Sequence, residues 1–331
     1  MRAVKIALAV LAVVLLCGCA SSDRFDFALI GDQQYDEESE AQFPRLMADI
    51  DRAEVEFVVH LGDFKPGTSL PCTDELFRRR RQQLDASRHA LIYTPGDNEW
   101  TDCQNPKAGG FVPEERLAKL REVFFSTHES LGRRKLALEQ QPQFPENLRW
   151  RRGGVLFMTL HIIGSNNNLG RTPEGDAEQR DRMAANVAWM REGFALASKE
   201  NAAGVAIFTQ ANPRFERVFP GGRVSALGIG PASTTPSGYA DFLPLLEREV
   251  AAYRKPVLFL HGDTHYLRID KPLFRTGEKG GGDRGRQLEN FTRVEVYGYP
   301  EAHWLRVTVN PGHPAVFSFT EQIVDANRLR R

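Results

Sequence analysis

Six apolar runs in this chain each stop abruptly in a small polar cluster, and this repetition restricts the fold more than any other feature. Phe25 to Ile30 runs into Gly31-Asp32, Val55 to Leu61 into Gly62-Asp63, and Ala90 to Thr94 into Pro95-Gly96-Asp97-Asn98-Glu99. Farther on, Val155 to Ile163 stops at Gly164-Ser165-Asn166-Asn167-Asn168, Gly204 to Thr209 at Gln210-Ala211-Asn212-Pro213, and Pro256 to Leu260 at His261-Gly262-Asp263-Thr264-His265. Short apolar runs bounded by turn residues read as buried strands. Helical patterns near Glu38 to Ala53, Thr73 to Ser87, 113 to 132 and Ala177 to Lys199 lie among them, and strand, loop and helix repeated in this way predict βαβ units in an α/β fold. Glu139 to Arg152 reads as a polar loop. Arg293 to Tyr297, Trp304 to Val309 and Ala315 to Phe319 read as an antiparallel meander closing the domain. The Gly-rich stretch from Gly277 to Gly285 reads as a surface loop.

A single Gly-Asp after a strand is an ordinary turn. Six polar clusters in series, all at carboxyl ends of predicted strands, fall where open α/β sheets gather ligands. With 331 residues, 41% of them hydrophobic, the chain can bury a large core. Lys plus Arg and Asp plus Glu balance at 43 each, so no net field draws nucleic acid and no nucleic-acid partner is expected. Function is expected to reside in local sites. The basic run Arg78 to Arg81 reads as a solvated helix face, with anion contact as the alternative.

The first residues differ in character. Arg2 and Lys5 precede an apolar run from Ile6 to Leu16, then Leu16-Cys17-Gly18-Cys19 followed by Ala20-Ser21. The run is too short for a stable membrane span and reads as a signal peptide. The step before Cys19 resembles the lipobox of bacterial lipoproteins, which implies a signal peptide over 1–18, a lipid-anchored linker over 19–24 and a membrane attachment through acylated Cys19. The residues after Cys19 imply the periplasmic face of the outer membrane. Cys72 and Cys103 then remain in an oxidising compartment and are expected to form a disulfide, the alternative being two buried thiols. Closing that loop of ~32 residues contributes roughly 3 to 4 kcal/mol in the chain-entropy picture.

In order and spacing, Asp32-Gln33-Gln34, Gly62-Asp63, Gly96-Asp97-Asn98-Glu99, Gln210-Ala211-Asn212-Pro213 and Gly262-Asp263-Thr264-His265 resemble the motifs of the calcineurin-like metallophosphoesterases. The resemblance implies a four-layer αββα sandwich with two mixed β-sheets over 25–331. It also implies two dications at the strand ends and a bridging hydroxide that attacks phosphorus. Asp32, Asp63 and His265 fall on family metal ligands unchanged, with Asp63 as the bridge. Gln34, Gln210 and Asp263 stand where the family has His, and Asp97 where it has Asn. Oxygen donors in place of imidazoles favour a hard ion, one or two of Mg2+, Mn2+ or Ca2+.

Asn98 occupies the place of the family's catalytic His and has no proton to give up in that way. His261 and Glu99 are the substitutes for an acid. On an extended strand His261, Asp263 and His265 share a face. Asn166 and Lys65 are candidate contacts to substrate oxygens. His60 and His161 read as core histidines. A phosphoester, mono- or diester, is therefore the expected small-molecule substrate. The alternative is a catalytically impaired descendant that binds a metal and an envelope ligand or partner.

Overall fold

The structure is a computed structural model and describes residues 24–215, 236–276 and 285–328. The expected signal peptide, the acylated Cys19 and most of the Gly-rich stretch lie outside these residues. The predicted strands form two mixed sheets. In the first, β1 (Phe25–Ile30), β2 (Phe57–His60) and β3 (Ala90–Tyr93) run parallel, and β11 (Trp304–Val309) and β12 (Phe317–Gln322) extend it antiparallel, in the order β12-β11-β1-β2-β3. The second contains β4 (Glu139–Gln141), β5 (Phe144–Arg152), β6 (Val155–Thr159), β7 (Gly204–Phe208), β8 (Val257–His261), β9 (Arg268–Asp270) and β10 (Phe291–Glu295). Its order is β4-β5-β6-β7-β8-β10-β9, with β6, β7, β8 and β10 parallel.

Alternation along the strands stacks the sheets face to face. Phe27 and Phe57 of the first sheet, stacked at 5.0 Å, meet Phe157, Phe208 and Trp150 of the second at 5.5 to 6.0 Å. The opposite face of the second sheet, with Leu156, Met158, Val205, Ile207 and Phe259, packs on α5 (Pro173–Lys199) and α6 (Phe242–Tyr253) through Met183, Met190, Phe194, Leu246 and Val250. On the first sheet's outer face lie α1 (Glu37–Arg52), α2 (Asp74–Asp85) and α3 (Pro113–Phe124), where Phe43 of α1 meets His60 at 6.3 Å. The result is the expected αββα order of layers. Local chemistry sets the helix starts: Asp36 and Ser39 exchange a capping box at α1, and the Thr73 hydroxyl accepts the Leu76 N–H at α2.

Four expectations change. Glu139 to Arg152 is a hairpin rather than a loop, because its buried polar residues are paired: Glu146 with Arg121 and Arg149 with Glu139. The C-terminal meander divides between sheets, β10 pairing parallel with β8 while β11 crosses to β1. Helix α3 stops at Phe124, since Phe124 and Phe125 close on Tyr93 and Leu131 then pairs with Leu91 of β3. Within the basic run, Arg80 is buried, donating to the Phe64 carbonyl and pairing with Glu40, so the run is not a uniformly solvated face.

Candidate functional site

Every parallel strand of both sheets delivers its carboxyl-terminal loop to the same edge of the sandwich, and the loops are knitted by main-chain bonds. Asp32 N–H donates to Gly62 O at 3.0 Å, Gln33 N–H to Asp63 O at 3.0 Å, and Gly262 N–H to Gln210 O at 3.0 Å. The carboxylates sit on sharp left-handed residues: φ is 53° at Asp32, 54° at Asp63 and 83° at Asp263, with His265 at 64°. Asp tolerates that region better than most side chains. Non-glycine residues in sparsely populated regions cost on the order of 1 to 3 kcal/mol each and cluster where a fold holds strain for a purpose. Close approach fixes two of the glycines. A Cβ on Gly96 would stand 2.0 Å from Asp63 Oδ1, and one on Gly262 would stand 2.1 Å from Asp32 Oδ2.

The structure brings Asp32, Asp63, Asp97, Asp263 and His265 together. Asp32 accepts the Asp263 N–H at 3.1 and 3.2 Å, and Asp263 Oδ2 accepts the Asn212 N–H at 3.0 Å. Asp63 accepts from Asn98 N–H at 3.2 Å, Gln210 Nε2 at 3.0 Å and the Tyr35 hydroxyl at 3.3 Å. Asp97 Oδ1 and Asp263 Oδ1 converge beside Gly164, lying 2.7 and 2.8 Å from the point a Cβ there would occupy. Burial, then the neighbouring carboxylates, pushes these acids up: Asp32 and Asp63 well above the usual range, Asp97 to about 6 and Asp263 to about 8. Glu99 is pushed by burial to about 7, although it accepts the N–H groups of Phe64 at 2.7 Å and Gly96 at 2.9 Å.

His265 Nδ1 donates to the Tyr299 carbonyl at 2.8 Å, which leaves Nε2 as the lone-pair atom, 3.6 Å from Asp32 Oδ1. Metal-binding histidines are commonly oriented in this way, by a carbonyl or carboxylate that takes the proton of the other ring nitrogen. Two acceptor atoms facing across that gap repel unless a cation or a proton lies between them. Asp32, Asp63, Asp97, Asp263 and His265 are the residues that could hold a hard divalent ion at this edge. Among the described residues no three His, Cys, Asp or Glu side chains already stand as a metal-holding group, so an ion would need these side chains to close on it.

Other expected residues take different places. Gln210 donates to Asp63 and accepts the Gly164 N–H at 2.6 Å, so it braces the cluster with both ends of its amide. Gln34 turns Nε2 to Glu40 and Gln83, which supply the acceptors a buried amide needs, and leaves Oε1 buried without a hydrogen-bond partner. Lys65 is fully buried and donates to the Pro66 and Asn98 carbonyls, an internal cation near Glu99 and Asp63 rather than a substrate contact. Asn166 lies in the one-turn segment α4 (Gly164–Asn167), and its amide is spent on Leu169 O, Pro236 O and the Gly238 N–H. His261 does not share a face with Asp263 and His265, because the strand ends at His261 itself and the backbone turns left-handed at Asp263 and His265; its ring lies 5.9 Å from Phe259, on the face packed against α6. His60 is a core histidine accepting the Gly62 N–H at 3.2 Å, and burial lowers it to about 3. His161 pairs with Glu146 at 2.8 Å, buried beside Trp100. Cys72 and Cys103 form the expected disulfide, with both sulfurs 3.7 Å from the Asn98 carbonyl oxygen.

Sequence reasoning passed over three contributors. Tyr35 lies three residues after Asp32, and its ring packs on His265 and Tyr299 at 5.3 Å each. Tyr299 and Glu295 come from the end of β10, where Glu295 accepts the Thr264 N–H at 3.1 Å and pairs with Arg268. The signal was available in Glu295-Val296-Tyr297-Gly298-Tyr299-Pro300, a polar and aromatic cluster at a seventh strand end, hidden by the meander reading.

No protein-family profile and no curated protein matches this sequence. Among solved structures, the chain is similar to GAP50, the anchor in the inner membrane complex of Plasmodium, at 10% identity over 91% of this chain and 89% of that one, TM-score 0.43. TT1561 of Thermus thermophilus aligns at 9% identity over 91% and 99%, TM-score 0.44. Vacuolar protein sorting 29 of Cryptosporidium parvum aligns at 10% identity over 90% and 97%, TM-score 0.27.

Proposed function

We propose that this protein is a calcineurin-like, metal-dependent hydrolase of phosphoesters, mono- or diesters, anchored in the cell envelope through Cys19. The observation that carries the reading is the gathering of three buried aspartates, Asp32, Asp63 and Asp97, and the half-buried Asp263 at the shared carboxyl edge of two parallel strand sets, with His265 Nε2 facing Asp32 across 3.6 Å. A divalent ion held there by Asp32, Asp63, Asp97, Asp263 and His265 would supply Lewis-acid polarisation and a more acidic water. The chain's own residues do the rest. Gln210 and the Asn98 N–H orient Asp63, Tyr299 fixes the tautomer of His265, and the disulfide and Glu99 hold the Asp63 and Asp97 loops in register. The test is turnover of mono- and diester substrates by purified protein with Mg2+, Mn2+, Ca2+ and Zn2+, beside Asp63→Asn. Metal-dependent turnover abolished by the substitution is expected, and no turnover with any of the four metals, or a variant equal to wild type, overturns the reading.

A second reading is favoured by the engagement of Asp63 with three protein donors and by Asn98 standing where the family keeps an acid. It is a phosphoesterase-fold lipoprotein that binds an ion and an envelope ligand without turnover. Calorimetric metal binding combined with no hydrolysis of any ester selects it.

A further inference from the structure

The Asn98 side chain has a determined orientation. Its Nδ2 donates to the Lys65 carbonyl at 3.0 Å, an atom that can only accept, so the same nitrogen is the donor in its 3.1 Å contact with the Tyr35 hydroxyl. The Tyr35 oxygen is thereby an acceptor from Asn98, and its own proton must point elsewhere. It is directed at Asp63 Oδ2, but at 3.3 Å, beyond the usual O–H···O range, while Gln210 already serves that oxygen at 3.0 Å. The ring cannot swing away easily, because it stacks on Tyr299 at an interplanar angle of 20° and meets His265 edge-on. Tyr299 is in turn tied through its hydroxyl to Asp36 at 3.0 Å. A hydroxyl with a fixed oxygen, a weakly committed proton and a half-buried position is a preorganised donor facing the carboxylate cluster.

Resting on the phosphoester reading above, we propose that Tyr35 is the hydrogen-bond donor to a phosphoryl oxygen of the substrate, and that Asn98 is its positioning residue. Asn98 fixes the Tyr35 oxygen as acceptor, so rotation about the C–O bond turns the proton from Asp63 to the phosphoryl group. The proton stays on Tyr35 throughout.

The experiment titrates inorganic phosphate into Mn2+-loaded wild type, Tyr35→Phe and Asn98→Ala by calorimetry, and measures kcat and KM for an ester in parallel. Tyr35→Phe keeps the ring stack, so unchanged melting and Mn2+ affinity are expected, with phosphate binding about tenfold weaker and kcat lower by about 10². Asn98→Ala shifts phosphate affinity in the same direction, because the hydroxyl loses its orienting donor. Phosphate affinity equal to wild type in Tyr35→Phe overturns the proposal, as does a wild type that binds no phosphate. A loss of Mn2+ affinity or of melting temperature in Tyr35→Phe also overturns it, assigning the tyrosine to the support of Asp63. Phosphate binding weakened in Tyr35→Phe with no turnover in wild type upholds the donor role and removes the hydrolase reading instead.

Discussion

The Glu99 carboxylate accepts the main-chain N–H of Phe64 at 2.7 Å, and through its other oxygen that of Gly96 at 2.9 Å, so one buried side chain joins the loop after β2 to the loop after β3. Above about pH 7, where this carboxylate is ionised, these are charge-assisted bonds in a dry setting, each worth about 1.5 to 3 kcal/mol, and removing the acceptor strands two buried donors. Glu99→Ala should therefore lower unfolding free energy by about 3 kcal/mol or more in urea titrations. Glu99→Gln, which keeps one acceptor oxygen, should lose about half as much. Equal loss in both variants would show that the two bonds do not act separately.

The disulfide braces the same pair of loops from the other side. Cys72 and Cys103 are 31 residues apart in sequence and both are fully buried, so loop closure contributes about 4 kcal/mol in the chain-entropy picture. The double variant Cys72→Ser/Cys103→Ser should unfold at correspondingly lower denaturant. It should also bind Mn2+ less tightly, since Asn98, whose N–H holds Asp63, has its carbonyl against both sulfurs. Metal affinity unchanged in the folded double variant would confine the bridge to stability.

Burial holds protons on Asp97, Glu99 and Asp263, moving them to about 6, 7 and 8. A folded-state value raised above the unfolded one contributes stability that is complete below the unfolded value and is lost as pH rises through the folded one. Buried neutral histidines, His60 at about 3 among them, have the opposite slope up to the free histidine value of roughly 6.5, so the metal-free protein should lose melting temperature between pH ~7 and pH ~8. Glu146 does not interfere in this window. Burial opposes its ionisation, yet His161 and Arg121 hold it down to about 2, so its contribution disappears only below the unfolded carboxylate range. Mn2+ should restore melting temperature at the alkaline end of that window far more than at the acid end. A metal-free melting temperature that rises with pH across the window would exclude a proton-holding cluster.

The sandwich and its edge were legible because six strands announce themselves twice, by an apolar run and by the polar residues that end it. The placement of Asp32, Asp63 and His265 at that edge was legible for the same reason: each has a fixed place after its strand. What stayed hidden depended on partners distant in sequence. The polar residues of β5 look like a loop until Arg121 and Glu139 supply the pairing. Gln34 and Gln210 read alike as oxygen donors, but Gln83 and Glu40 claim the amide nitrogen of one while Asp63 claims that of the other. Lys65 reads as a candidate phosphate contact until the fold closes the Asn98 carbonyl over it. Tyr35 belongs to no motif, and only the approach of Asn98 and Tyr299 gives it a role.

Gly96 tests whether the glycines of these motifs serve turns or packing. A turn glycine substituted by Ala costs little when its φ is ordinary, and Gly96 is not among the glycines with positive φ. Its cost should instead be steric, because a methyl group there would stand 2.0 Å from Asp63 Oδ1 and 2.9 Å from the Asp63 main-chain nitrogen. The carboxylate must rotate or the loops must part, and either response breaks the bonds from Asn98 and Gln210. Overpacking of this kind costs about 1 to 3 kcal/mol. Gly96→Ala should thus destabilise the fold by that amount and lower Mn2+ affinity at least tenfold, while Gly285→Ala, whose added Cβ meets nothing within 4 Å, should leave metal affinity untouched despite its strained φ of 80°. Wild-type Mn2+ affinity in Gly96→Ala would mean that the position of Asp63 does not govern the site.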